Sequence, residues 1–273
     1  MTQSTADKRA RFRELHQSGC FVLPNPWDVG SAVLLAHLGF KALASTSAGM
    51  AWALGRPDGA VSLDEVLVHL SNLAHATDLP LNADFENAFA ETPAEVASNV
   101  ALAVDTGISG LSVEDYGGAE AGLYDFDQAV ARVTAARAAI DRSGSGVLLT
   151  ARSEGFIRGR PDLPETIRRL QSYSAAGADC LYAPGLREDA QIRAVVDAVA
   201  PKPVNVLSPG LPVEGLAALG VRRISVGGGL AAAAWGEFLR AAREIAETGT
   251  FTALARGASG RELNPIFAEA GKG

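Results

Sequence analysis

The chain has 273 residues, 48% of them hydrophobic and 20% charged, with a formal net charge of −7. That length fits a single α/β barrel, and the absence of any run of about 18 apolar residues excludes a helical membrane span. Lys and Arg are scattered rather than gathered into a stripe, which excludes a duplex nucleic-acid surface, while a small anionic ligand in a locally positive cleft stays open.

The opening segment MTQSTADKRARFRELHQSG is charged and holds no apolar run of signal-peptide length, so a cytoplasmic location is expected. Residues 1–18 read as an extra N-terminal helix. Short apolar runs then recur: CFVLPN (20–25), FKALAST (40–46), LPLNAD (79–84), ISGLSVED (108–115), VLLTAR (147–152), ADCLYAPG (178–185), KPVNVL (202–207) and RRISVGGG (222–229). Each reads as a buried strand. Amphipathic segments separate them, among them PAEVASNVALAVDTG and LPETIRRLQSYSAAG. Thr92, Pro93 and Glu95 suit a capped first turn, and Gly107, Gly177 and Gly220 fall where helices would stop.

Alternating strands and helices imply a parallel sheet covered by helices, and eight such units imply closure into a (β/α)8 TIM barrel. The expected organisation is one domain over 1–273, with a C-terminal helical extension from about 230 to 273. An open doubly wound sheet would carry a phosphate-binding glycine fingerprint after its first strand, and PNPWDVGSA supplies none. The later SVGGGLAAAAW, at 225–235, is either an anion-binding turn or a plain tight turn. Cys20 and Cys180 lie in apolar runs and read as buried thiols, not a disulfide.

Barrel active sites lie at the carboxyl ends of the strands. Here those ends carry Asn25, Trp27 and Asp28, then Ser45, Thr46 and Ser47, then Asp84 and Glu86, then Glu114 and Asp115, then Arg152 and Glu154, then Tyr182, and lastly Asn205 and Ser208. Residues two apart on an extended strand share a face, so Asp84 and Glu86 are expected to point to one place, with Glu114 beside them. Converging carboxylates repel, and a hard, oxygen-seeking divalent ion such as Mg²⁺ resolves the conflict. The competing explanation is a rim salt-bridge network with Arg152 and with Arg132 or Arg158. Arg152 also offers a planar fork for a carboxylate or phosphonate. The histidines His16, His37, His69 and His75 sit in helical segments, and Cys/His spacing for zinc is absent.

The motifs STSAGMAWALGRPDG, NADFENAF, GLSVEDY and TARSEGFIRG, in this order, resemble the isocitrate lyase and phosphoenolpyruvate mutase superfamily over about residues 20–240. The resemblance implies a barrel whose eighth helix is exchanged between subunits in a dimer of dimers, Mg²⁺ (or Mn²⁺), and C–C or P–C chemistry beside a carboxylate. By position, Asp84 resembles the direct metal ligand, with Glu86 and Glu114 acting largely through water. Thr46, Ser47 and Ala48 resemble the clamp on a substrate carboxylate, Arg152 the partner of its oxo or second acid group, and Asp58 a mobile acid or base. Asn205 is a further expected substrate contact.

The chain also departs from the pattern. The isocitrate and methylisocitrate lyases carry a Lys-(Lys/Arg)-Cys-Gly-His loop after the fourth strand, and mutases and phosphonopyruvate hydrolases carry Lys and Asn there. Here the region reads EDYGGAEAGLYDFDQAV, with none of these. Glu86 also stands where Asp is more usual. The expectation is therefore a Mg²⁺-dependent lyase or decarboxylase that cleaves a C–C bond in a small 2-oxo acid or related di-acid through an enolate. Asp58 would be aided by Tyr116 or Tyr124. The alternatives are P–C chemistry on phosphonopyruvate or phosphoenolpyruvate, and a barrel that binds a 2-oxo acid without turning it over.

Overall fold

The computed structural model of the chain describes residues 3–207 and 210–270. Eight parallel strands alternate with helices in chain order: α1 (Thr5–Leu15), β1 (Phe21–Leu23), α2 (Val29–His37), β2 (Leu43–Ala44), α3 (Ser47–Ala53), α4 (Leu63–Ala76), β3 (Leu81–Asp84), α5 (Pro93–Asp105), β4 (Gly110–Glu114) and α6 (Phe126–Ser143). There follow β5 (Leu148–Arg152), α7 (Leu163–Ala175), β6 (Cys180–Tyr182), α8 (Asp189–Val199), β7 (Val204–Leu207), α9 (Val213–Ala218), β8 (Arg223–Ser225), α10 (Gly229–Thr248) and α11 (Gly260–Ala270). The strands pair in the order β1-β8-β7-β6-β5-β4-β3-β2. Across the remaining seam, the Ala44 amide donates to the Pro24 carbonyl at 3.0 Å, so the sheet is a nearly closed (β/α)8 barrel.

Local chemistry starts the helices where the sequence suggests. Capping boxes form at Ser4 with Asp7, Ser62 with Glu65, and Thr92 with Glu95. Helices α5, α7 and α9 give way to Gly107, Gly177 and Gly220, each at positive φ, before the next strand. The main apolar core lies between the sheet and its helices, with Leu70, Val100, Leu111, Leu149, Leu170 and Ile192 among its buried members.

A second, smaller cluster closes the amino-terminal end of the barrel. Phe12 of α1 is fully buried there with Leu23, Ala42, Ala44 and Leu148. The basic residues of α1 fasten this plug to helix ends: Lys8 donates to the Ala74 carbonyl at 2.9 Å, and Arg9 to Val104 at 2.8 Å. His16, expected on a helix face, caps α1 and packs edge-on to Phe12 and Phe21. With its floor stoppered, the barrel is open only at the carboxyl ends of the strands. Among the described residues, no helix is long and apolar enough to cross a membrane.

Candidate active site

A cavity of about 200 Å³ enters the barrel from that open end. Alternate residues along the strands face it: Asn82 and Asp84 of β3, Arg223 and Ser225 of β8, Asn205 and Leu207 of β7. Asp58, on the exposed turn between α3 and α4, and Arg158 lie at its mouth. A neighbouring hollow shares Ser47, Asp58, Arg152 and Arg158, and adds Glu86, Glu114 and Tyr116.

Arg152 is the hub. Its Nη1 donates to Asp84 Oδ1 at 2.7 Å, while Nη2 lies 2.8 Å from Glu154 Oε1 and 3.1 Å from Glu114 Oε2. Burial opposes the charge of Arg152, but Glu114, Glu154 and Asp84 outweigh it and hold the guanidinium ionised. Burial in turn pushes the Glu114 carboxyl well above its ordinary range, with Glu154 and Asp84 adding repulsion. Arg158 reaches Glu154 Oε2 at 3.3 Å and Glu114 Oε1 at 3.7 Å, and stacks on the Tyr116 ring at 3.9 Å. The rim salt-bridge network with Arg152 and Arg158 is therefore real. Arg132 has no place in it.

Asp84 and Glu86 do not converge in the way strand alternation predicts. Strand β3 ends at Asp84, and Glu86 sits in the following turn at φ 45°, so the pair does not share a strand face. Ala88 and Phe89 are also left-handed, at 61° and 52°, an arrangement that non-glycine residues adopt only when neighbours impose it. Arg132 of α6 is that neighbour. It is 1% exposed and donates to the carbonyls of Ala90 (2.8 Å), Glu91 (2.7 Å) and Asn87. Asn99 of α5 donates to the carbonyls of Ala88 and Phe89 at 2.9 and 3.1 Å. The clamped turn delivers Glu86 to the hollow beside the cavity, where burial, then Asp84 and Asp58, push its carboxyl up to about 7.

The remaining expected residues divide. Thr46 caps α3 through Gly49 N–H, and the Ser47 amide donates to Asp84 Oδ2 at 3.0 Å. Of the expected carboxylate clamp, this leaves the Ser47 hydroxyl and the Ala48 amide, in a first turn whose N–H groups have no intrahelical acceptor. Asn205 is buried on the cavity wall, and Ser208 lies outside the described residues. Tyr116 lines the neighbouring hollow, whereas Tyr124 is turned away beneath Arg132, its ring 4.1 Å from the guanidinium. Its hydroxyl accepts from Asn87 Nδ2 at 3.0 Å and lies 3.4 Å from the Glu91 carboxylate.

The glycine-rich turn after β8 is no anion cradle at its start. The amides of Val226 and Gly227 both donate to Asn25 Oδ1 at 2.9 Å, which makes this a turn held by a side chain. The strand ends include Glu154 without marking it as the anchor of Arg152, and they do not include Arg223, which lies inside the barrel. Alternation along TAR-S-E and RRIS is the signal that could have pointed to them.

Around the rim, Asp58, Asp84, Glu86, Glu114 and Glu154 outnumber Arg152 and Arg158. Among the described residues, no group of three Asp, Glu, His or Cys side chains forms a ready-made ion cage. The donor set is nonetheless all oxygen, short of positive charge, and holds a carboxyl whose proton a cation would displace, so it fits a hard divalent ion bound partly through water.

A nearly closed barrel with a polar, carboxylate-rich cavity at the carboxyl ends of its strands is the architecture of a barrel enzyme. The phosphoenolpyruvate phosphomutase family model matches residues 12–246, and the chain belongs to that family. A crystallised lyase/mutase-type protein from Burkholderia cenocepacia J2315 is 46% identical, with a TM-score of 0.93 over 97% of this chain and 96% of that one. The oxaloacetate decarboxylase of Paraburkholderia xenovorans LB400 is 31% identical over 75% of this chain and 69% of its own length. An oxaloacetate acetylhydrolase solved with its product oxalate is 26% identical, with a TM-score of 0.87 over 98% and 96% of the two chains.

Proposed function

We propose that this protein is a Mg²⁺-dependent carbon–carbon lyase of decarboxylase type, acting on a small 2-oxo di-acid of the oxaloacetate class through an enolate. The observation that carries the reading is Arg152, locked by three carboxylates against the cavity with its fork fixed in one orientation. Support comes from relatives named for oxaloacetate chemistry.

In this reading Asp84, Glu86 and Glu114 are the residues that would hold Mg²⁺ or Mn²⁺. The ion supplies electrophilic stabilisation of negative charge on oxygen. The Ser47 hydroxyl and Ala48 amide, with Thr46 shaping the turn, hold the substrate carboxylate, and Asn205 adds a donor from the wall. When the C–C bond breaks, CO₂ leaves and the bonding electrons remain on the substrate as an enolate, whose developing oxygen charge Arg152 meets. Asp58, at the mouth, then relays a proton from solvent water to the enolate carbon, with Tyr116 beside it.

A second reading is P–C chemistry on phosphonopyruvate or phosphoenolpyruvate, favoured by the phosphomutase description of the matching family. The absence of Lys and Asn between Glu114 and Asp127 counts against it. Incubation with oxaloacetate and with phosphonopyruvate, each with Mg²⁺, separates the two. Pyruvate formed only from oxaloacetate supports the first; a new phosphorus resonance from phosphonopyruvate supports the second.

The assembly belongs to the same proposal. Helix α10 buries only Ala231 and exposes Trp235, Phe238 and Leu239, an apolar surface that an exchanged helix in a dimer of dimers would cover. The cytoplasm is the proposed working compartment.

A further inference from the structure

Beneath the site just described lies a buried cation that the reaction scheme does not use. Arg223 opens β8 at the inner end of the cavity and is 2% exposed. Its Nε donates to Asn205 Oδ1 at 2.8 Å, and its Nη1 lies 3.3 Å from His16 Nε2 and 3.4 Å from Asn82 Oδ1. These acceptors are neutral: Asn carries no charge, and burial together with Arg223 holds His16 down at about 3. Among the described residues, no carboxylate pairs with Arg223, although buried arginines ordinarily have one.

The geometry also fixes an amide. A guanidinium has no acceptor, so the Asn205 atom facing Nε must be its carbonyl oxygen. Its NH₂ then points the other way and donates to Ser225 Oγ at 3.0 Å. Ser225, having accepted, has its own hydrogen free to send onward. Both Asn205 and Ser225 line the cavity, so the relay that begins at Arg223 ends in donors facing it.

We propose that Arg223 is a positioning residue that, through Asn205 and Ser225, makes the inner end of the cavity selective for the charged carboxylate that stays on the substrate. A carboxylate seated against this charge is stabilised as a carboxylate and does not depart as CO₂, so the bond that breaks lies toward Arg152 and the rim. The inference rests on the 2-oxo acid reading and specifies the orientation of that substrate.

The test compares pyruvate with its neutral isostere pyruvamide by calorimetry, with Mg²⁺ present, in the wild type and in Arg223→Gln and Arg223→Lys. The wild type is expected to prefer pyruvate by about tenfold or more, Arg223→Gln to lose most of that preference by weakening pyruvate alone, and Arg223→Lys to keep it. A purely structural Arg223 would weaken both ligands alike or neither, and either result overturns the proposal. If Arg223→Gln does not fold, Asn205→Asp serves instead: it gives Arg223 a carboxylate partner and removes the cavity-facing donor. Loss of the pyruvate preference in that variant supports the proposal, and an unchanged preference overturns it. A wild type that binds neither ligand removes the 2-oxo acid reading itself, an outcome distinguishable from a variant that has lost only selectivity.

Discussion

Arg152 and Asp84 meet at 2.7 Å although 68 residues separate them in the chain. The bond crosses the open end of the barrel from β5 to β3, passing over β4, and Glu114 of β4 completes it from between. Asp84 also accepts from the Ser47 amide at 3.0 Å, so a single carboxylate ties the guanidinium to the first turn of α3. The groups proposed to hold the two ends of a small acid are thus fixed relative to one another before any ligand arrives, which lowers the reorganisation needed for charge stabilisation.

Arg152→Lys keeps the charge but cannot serve Asp84, Glu114 and Glu154 from one planar fork. Turnover of oxaloacetate is expected to fall by about 100-fold or more, the scale seen when an oxyanion donor is removed, and the melting temperature to fall as well, because the buried Glu114 and Glu154 lose part of their pairing. Steady-state kinetics alongside a thermal melt would check this, and near-normal turnover would remove Arg152 from the chemistry.

Metal affinity should depend on pH through Glu86. Its carboxyl is raised to about 7 by burial and by Asp84 and Asp58, so the metal-free protein carries it largely protonated below that pH. A cation binds the ionised form, and the proton competes with it. Affinity for Mn²⁺ should therefore rise from pH 6 to pH 8, steepening toward about tenfold per pH unit on the acid side. Glu86→Gln should flatten the profile. Titrations at several pH values measure both.

Arg132→Ala should destabilise the protein by about 3 kcal/mol or more, because it strands buried carbonyls of Asn87, Ala90 and Glu91. The left-handed turn at Glu86, Ala88 and Phe89 would lose its clamp, so Mn²⁺ affinity should fall with stability. Denaturant unfolding and metal titration report the two losses separately.

Gly110 is needed because of a close approach. A Cβ there would lie 2.6 Å from the Phe12 ring and 2.8 Å from Asn82 Oδ1. Gly110→Ala should cost about 1–3 kcal/mol by overpacking the plug formed by α1. Combined with Phe12→Ala, its cost should shrink, giving non-additive unfolding energies in a double-mutant cycle.

Much of this was legible in the sequence. Apolar runs such as VLLTAR and ISGLSVED mark strands because parallel barrel strands are buried on both sides, and their terminal residues Arg152 and Glu114 do meet at the rim. Glu86 reaches the same place for a different reason. Periodicity assumes that the strand continues, whereas β3 stops at Asp84 and tertiary hydrogen bonds from Arg132 and Asn99 bend the next residues into a conformation their side chains do not favour. Arg132 itself looks like any basic residue on an amphipathic helix, and only packing shows that it faces inward. Arg223 and Asn82 were hidden because inward-facing barrel positions are expected to be apolar, and a polar layer there is a property of the assembled cavity.

Metal-dependent decarboxylation is tested most directly by following pyruvate release from oxaloacetate, after subtracting the metal-catalysed reaction without protein, for the wild type and Asp84→Asn, with Mg²⁺ and with a chelator. Protein-dependent pyruvate formation is expected, abolished by the chelator and reduced by about 100-fold or more in Asp84→Asn. Oxaloacetate consumed no faster than in the protein-free control, or consumed equally by Asp84→Asn, would contradict it.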